Sequence, residues 1–188
     1  MNDNIKEFFN RIADSWTNDN SIEFIKSLLD KVGIKEQDDV LDVGCGKGII
    51  TPILYEYSHK CVDGIDLSDR MISYTKNSEK NVFHCGDFLT YDFGKQYDCI
   101  VIFNAYPHIL NKEALASKAY SVLKENGKLV IMHDLSRKEL NTHHEQCAMG
   151  ISKKLNSPDE EYAFFSDKFN KVLTIDDDKS YMLLMKRK

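Results

Sequence analysis

The feature that most constrains this chain is an apolar run that ends in three alternating glycines, residues 40–48 (VLDVGCGKG). A helical pattern follows, so the stretch predicts a strand, a tight loop and a helix. Gly44, Gly46 and Gly48 permit positive φ angles and leave no Cβ between the backbone and a ligand. In an open α/β sheet such a loop lies where the sheet binds its ligand. The spacing is G-x-G-x-G, whereas the dinucleotide fingerprint is G-x-G-x-x-G.

Strand and helix patterns alternate beyond this loop, which is typical of a parallel sheet covered by helices. The most apolar run, 98–103, has the composition of a strand that is buried on both faces. Two further runs near the end of the chain predict a hairpin. The predicted strands are 39–43, 61–65, 81–85, 98–103, 128–132, 171–176 and 180–186.

Two helices are predicted before the alternation and one is inserted after it. Apolar residues at helical spacing predict a first helix over 4–14. A capping-box pattern opens a second helix at Asn20, which stops at Gly33. Ser136 and Glu139 form another capping box and open an inserted helix that runs to about 149. None of these helices belongs to the β-α repeat.

Five stretches at family-like distances carry a resemblance to a known family. The chain resembles the class I S-adenosylmethionine-dependent methyltransferases, and more closely their small single-domain, small-molecule branch. That resemblance implies a doubly wound α/β fold with a mostly parallel, Rossmann-like seven-stranded sheet, an antiparallel last strand and a helical lid. Lys47 stands where threonine is usual in the first motif. The stretches are 40–48, 64–68 (GIDLS), 85–88 (CGDF), 97–101 (YDCIV) and 123–130.

The same resemblance implies one domain over 1–188 with four parts. These are lid helices over 1–33, a cofactor-binding core over 38–134, a substrate-lid insertion over 135–170 and a C-terminal hairpin over 171–188.

The implied cofactor is S-adenosylmethionine, and the resemblance assigns residues to each of its groups. Asp66 would accept hydrogen bonds from the ribose hydroxyls, and Asp87 from the adenine amino group. Asn104 would face the methionine end through its main-chain carbonyl. The other residues expected at the cofactor are Asp42 at the methionine end, Gly44, Gly46 and Gly48 in the loop, Leu67 and Phe88 at the adenine ring, and Trp16 as a shield.

Methyl transfer needs a general base only when the nucleophile arrives protonated, and histidine suits that role near neutral pH. On the inserted helix His143 or His144 shares a face with Leu140, Cys147 and Ile151. His143 is our first choice as catalytic base, with His133 and Tyr106 as pocket residues and His108 as a further candidate. A metal site at His143 and Cys147, completed by His133 or His108, is an alternative, although we predict none.

Composition excludes several classes of function. A net charge of -5 and a pI near 5.7 argue against nucleic-acid binding through phosphate neutralisation. No apolar run has the roughly 20 residues that a membrane helix needs, and no signal-peptide core is present. We therefore expect a cytoplasmic monomer or homodimer with a small-molecule substrate, no nucleic acid and no membrane. A catalytically silent cofactor-binding module and a nicotinamide-dependent oxidoreductase are the alternatives.

Overall fold

The structure is a computed structural model that describes residues 2–17, 21–148 and 150–188. Seven strands form its central sheet. They are β1 (Val40–Val43), β2 (Val62–Asp66), β3 (Asn81–Cys85), β4 (Tyr97–Phe103), β5 (Leu123–His133), β6 (Phe169–Asp176) and β7 (Tyr181–Arg187).

The helices lie before, between and after these strands. A single 3₁₀ turn, Tyr106–His108, follows β4. The α-helices are α1 (Asn2–Ile12), α2 (Ile22–Leu29), α3 (Thr51–Ser58), α4 (Asp69–Ile72), α5 (Lys112–Val122), α6 (Arg137–Cys147) and α7 (Pro158–Tyr162). Within the described residues, no helix is long and apolar enough to cross a membrane.

The strand order is β3-β2-β1-β4-β5-β7-β6. The pairs from β3 through β5 are parallel, while β7 runs antiparallel to both β5 and β6. This confirms the predicted doubly wound, mostly parallel sheet with an antiparallel last strand. The chain places β2 and β3 on one side of β1 and then returns to place β4 on the other. A crevice therefore opens at the carboxyl ends of β1 and β4, where the glycine loop begins.

Alternate side chains of β4 pack on opposite faces of the sheet, as the pleat requires. Ile100 and Ile102 pack in the cluster that contains α5. Cys99 and Val101 pack in the other cluster, together with α2 and α3. Both faces are thus covered, which explains why the sequence of β4 is almost entirely apolar.

Helix α2 belongs to the core, which corrects the prediction that both leading helices are lid helices. Ile25, Leu28 and Leu29 are at most 2% exposed and pack against the sheet beside α3. An apolar helical stripe fits a lid as well as a core layer, so the sequence pattern alone does not separate the two. Helix α1, in contrast, packs against Ala148 and Ile151, above the crevice.

Caps fix where several helices begin. The predicted cap at Asn20 lies outside the described residues; Ser21 is the N-cap of α2 and accepts a hydrogen bond from the Phe24 N–H. Ser136 forms the predicted capping box with Glu139 at the start of α6. Strand β5 begins at residue 123 rather than 128, because it also pairs with the start of β4 across an irregularity in the register.

Candidate functional site

A cavity of about 1220 Å³ opens at the carboxyl ends of the parallel strands. The glycine loop and the ends of β1, β2 and β4 line one side of it, while α1 and α6 line the other. Pockets for a single small ligand measure roughly 300–1,000 Å³. This cavity therefore has room for a cofactor and a second small molecule.

The three glycines of the loop have different structural roles. A Cβ on Gly44 would lie 2.4 Å from the Cβ of Ala105, whereas a Cβ on Gly46 would meet nothing within 4 Å. Gly44 thus lets two loops pack closely, and Gly46 leaves the backbone open to a ligand. Gly48 does not line the cavity; a Cβ there would lie 2.8 Å from the ring of Phe83. This corrects the prediction that Gly48 is a ligand-contact glycine, because its place is filled by packing.

Asp66 ties the glycine loop to the end of β2. Its Oδ2 accepts a hydrogen bond from the Gly46 N–H at 2.9 Å, and its Oδ1 accepts one from the Ser68 N–H at 2.8 Å. Burial raises the pKa of Asp66, while these two donors favour the ionised form. A carboxylate offers about four acceptor positions, so two stay available on the cavity side.

Asp42 is fully buried in β1 and also lines the cavity. Its Oδ2 accepts a hydrogen bond from the Thr51 hydroxyl at 2.7 Å, and its Oδ1 has no partner among the described residues. Desolvation, helped by the negative charge of Asp66, raises the pKa of Asp42 to about 7. A buried carboxylate oxygen without a donor is costly. A cationic donor in the cavity would satisfy both its charge and its free oxygen.

Asp87 and Phe88 follow β3 and line the cavity together with Leu67. The Asp87 carboxylate accepts hydrogen bonds from the Leu89 N–H at 2.9 Å and from the Asn2 side-chain amide at 2.6 Å. Asn2 is the first residue of α1. The lid helix therefore supplies an amide donor to the carboxylate that the resemblance assigns to an adenine amino group.

Trp16 lies just beyond α1 and lines the cavity. Its carbonyl accepts a hydrogen bond from the Lys47 ammonium at 2.9 Å. The same ammonium lies 4.4 Å from the centroid of the Tyr74 ring, a cation–π distance. Lys47, the residue that departs from the family motif, therefore joins the glycine loop to the end of the lid.

Asn104 follows β4 with a φ of 54° and lines the cavity. Its side-chain amide donates a hydrogen bond to Asp134 at 2.7 Å. The Asn104 side chain is thus engaged in joining the ends of β4 and β5, and the role of its main-chain carbonyl stays a prediction. Asp134 also lines the cavity, and the sequence analysis missed it. The available signal was its position directly after strand β5, at the same edge of the sheet as the predicted residues Asp66 and Asp87.

Three histidines line the cavity wall formed by the 3₁₀ turn and α6. His143 is exposed, whereas His144 is 8% exposed. The structure therefore selects His144 as the histidine that shares the buried face with Leu140. Burial, followed by the charge of neighbouring His144, lowers the pKa of His108 to about 4. Burial also lowers the pKa of His144.

Tyr106 and His133 do not line the cavity, which corrects their prediction as pocket residues. Tyr106 is enclosed and donates its hydroxyl hydrogen bond to Glu161. His133 is fully buried with its ring against Tyr181, and burial lowers its pKa to about 3. The strand alternation at the end of β5 directs Asp134 to the cavity and His133 into the core.

No group of three or more histidine, cysteine or acidic side chains is placed to hold a metal ion in the part of the chain that the structure describes. His143 and Cys147 both line the cavity, but no third ligand from the described residues completes the alternative metal site.

A family model described as a methyltransferase domain matches residues 15–166, which is well over half of the chain. The chain belongs to the class I S-adenosylmethionine-dependent methyltransferases. This agrees with the motifs of the glycine loop and with the sheet order.

Two relatives that carry methyltransferase names are similar to this chain over about two thirds of its length. The chain is 32% identical over 131 residues to methyltransferase 235L of Invertebrate iridescent virus 6, covering 69% of this chain and 48% of the viral protein. It is 30% identical over 135 residues to malonyl-[acyl-carrier protein] O-methyltransferase 1 of Ilyobacter polytropus, covering 66% of this chain and 50% of that protein. The chain spans about half the length of these curated relatives.

A solved structure shows the same fold. A methyltransferase in complex with the Trm112 methyltransferase activator of Haloferax volcanii superposes with a TM-score of 0.81 at 17% identity. The match covers 95% of this chain and 97% of that chain.

Proposed function

We propose that this methyltransferase transfers the methyl group of S-adenosylmethionine to a small-molecule acceptor bound in the same cavity. The observation that carries the proposal is one continuous cavity with two chemically different ends. Acidic side chains and open glycine backbone line one end, and a wall of histidines lines the other. The first end suits a cationic nucleoside-like cofactor, and the second suits a nucleophile that arrives with a proton.

The described residues fit the cofactor at its polar groups. Asp66 would hold the ribose hydroxyls with the acceptor positions that its backbone donors leave available. The unpartnered Oδ1 of Asp42 would accept from the amino group of the methionine tail. Asp87 would exchange its Asn2 contact for the adenine amino group, with Leu67 and Phe88 beside the ring.

S-adenosylmethionine supplies an electrophilic sulfonium methyl group, so the protein contributes mainly position. Holding two reactants in line lowers the activation free energy by about 7–11 kcal/mol in favourable cases. Ile5 of α1 packs with Ala148 and Ile151 above the cavity, and these contacts would keep water away from the reacting atoms. Of the predicted catalytic residues, His143 lines this part of the cavity, and its role as a base stays a prediction.

The apolar cluster that lies over the cavity favours a small acceptor. Helix α1 and the turn after α6 meet in one apolar cluster, which narrows the histidine side to a pocket rather than an open groove. The name of the Ilyobacter relative indicates an acceptor carried on a protein. A carrier-bound acyl group is therefore the alternative acceptor that an experiment has to include.

Two measurements test the function. Calorimetry with S-adenosylmethionine and NADH should show binding of the first alone. A screen of small thiols, amines, phenols, carboxylates and a carrier-bound acyl group, read by S-adenosylhomocysteine release, should identify a small acceptor. Binding without release for any acceptor would favour the catalytically silent module, and release for the carrier-bound group alone would exclude a small acceptor.

A further inference from the structure

We propose that His108, His144 and His143 form a relay that carries the acceptor's proton from the closed end of the cavity to solvent, with Nε2 of His108 as its first acceptor. The inference rests on the proposed function, because it requires an acceptor that arrives with an O–H, S–H or N–H group. It differs from the sequence-based expectation, in which His143 itself takes the proton.

The environment of His108 determines which nitrogen is the base. Its Nδ1 lies 3.1 Å from the carbonyl oxygen of Ile151. A carbonyl oxygen only accepts, so Nδ1 carries the hydrogen and Nε2 holds the lone pair. The ring is fixed between Phe9 and His144, with centroid distances of 4.8 and 4.9 Å. His108 lines the cavity, and the turn of the substrate lid thereby selects the tautomer that accepts a proton.

A proton received by His108 is not stable there. Burial is the main cause that lowers the pKa of His108 to about 4, and the hydrogen bond with the Ile151 carbonyl opposes it. The charges of His144 and His143 from α6 and of Lys112 from α5 act in the same direction as burial. His108 is accordingly neutral throughout the physiological range, with its Nε2 lone pair free of a proton. At pH 7 the protonated form would be unfavourable by about three pKa units, so the proton has to move on.

The path to solvent runs along α6. The Nδ1 of His144 is buried and has no hydrogen-bond partner among the described residues. The ring centroids of His144 and His143 are 6.1 Å apart, and His143 is exposed. The ring centroids of neighbouring histidines lie 4.9 Å and 6.1 Å apart, and the relay requires a direct contact or one bridging water at each step. His133 is fully enclosed and offers no such outlet.

The relay accounts for every atom and charge of the reaction. The bond from the acceptor atom to the methyl carbon forms while the carbon–sulfur bond breaks, and the electron pair of that bond stays on sulfur. The acceptor's proton passes to Nε2 of His108. One positive charge is lost at sulfur and one appears on the imidazole, so the charge of the cavity changes only when His144 and His143 deliver the proton to water.

The first test needs no acceptor. Protein with ¹⁵N-labelled histidine is titrated by NMR from pH 4 to 8, and the signal of His108 is identified by its loss in His108→Gln. We expect the Nδ1–H tautomer, no titration above about pH 5, and a higher titration midpoint in His144→Phe, since His144 contributes to lowering the pKa. An Nε2–H tautomer, or a midpoint near 6.5, would overturn the assignment of His108.

The second test uses turnover with the acceptor found in the screen. His108→Gln should lower turnover at least 100-fold, and His144→Phe at least 10-fold. His143→Ala should lower it about 10-fold and regain most of it with added imidazole, which replaces the solvent end of the relay. His59→Asn is the matched control, because His59 is exposed at the end of α3 with a left-handed φ that asparagine tolerates.

Two results would overturn the relay: wild-type turnover in His144→Phe, or a 100-fold loss in His143→Ala without rescue, which would make His143 the base. Calorimetry should show unchanged S-adenosylmethionine affinity in all variants. If the wild type neither binds the cofactor nor releases S-adenosylhomocysteine, the proposed function fails, while the NMR titration still decides the state of His108.

Discussion

Replacing Asp66 with alanine should weaken S-adenosylmethionine binding somewhat more than it weakens the fold. The carboxylate accepts hydrogen bonds from the backbone of Gly46 and Ser68. Bonds to a charged group contribute about 1.5–3 kcal/mol each, and burial of the carboxylate offsets part of this, so we expect a stability loss of about 2 kcal/mol. Loss of two ribose contacts of the same kind should cost about 3 kcal/mol of binding, or about 150-fold in Kd.

The chain offers a matched control for this substitution. Asp177, in the turn between β6 and β7, also accepts two backbone hydrogen bonds, from Lys179 and Ser180. Asp177→Ala should lower the thermal midpoint by a smaller amount, because Asp177 is exposed, and leave the Kd of S-adenosylmethionine unchanged. Isothermal titration calorimetry on both folded variants measures the difference. Equal Kd values for Asp66→Ala and wild type would refute the placement of the ribose at Asp66.

Three further perturbations separate binding from folding. Burial raises the pKa of Asp42 to about 7, above its unfolded value near 3.8, so the stability that the protonated carboxyl contributes at low pH is lost as pH rises from about 4 to about 7. Asp42→Asn should therefore lose less stability than wild type between about pH 4 and 7 in thermal unfolding, yet bind cofactor more weakly. Both Gly46 and Gly48 have a positive φ, but only a Cβ at Gly48 meets the ring of Phe83, so Gly48→Ala should destabilise the protein by about 1–3 kcal/mol more than Gly46→Ala. Gly46→Ala should reduce cofactor affinity more than Gly48→Ala does; the reverse pattern in urea unfolding and calorimetry would contradict the two roles. Deleting residues 1–20 should leave a cooperatively unfolding core with impaired cofactor retention, and loss of the cooperative transition would place α1 in the core.

The sequence predicted most of the residues that line the cavity on the side of the glycine loop, because their determinants are local. Gly44 and Gly46 follow one strand and Asp66 ends the next, and both strands lie close to where the sequence pattern predicts them. Once strands are parallel, their carboxyl ends meet at one edge of the sheet. Local pattern therefore places these residues together without any knowledge of packing.

Only the tertiary structure shows which helices and side chains face the core and which face the cavity. Helix α2 is a core layer and α1 a lid, although both carry apolar stripes. His133 and Asp134 are neighbours in the chain, yet only Asp134 lines the cavity.

The same limit applies to the histidines of α6. His143 and His144 are one residue apart, about 100° around the helix, and only packing against Leu140 and His108 determines which of them is buried. Apolar periodicity predicts that a face is buried, but burial also needs a partner surface, and the chain brings those partners together from distant positions. For that reason the sequence pattern is enough to predict the fold and the glycine loop, whereas the cavity wall opposite the loop follows only from tertiary packing.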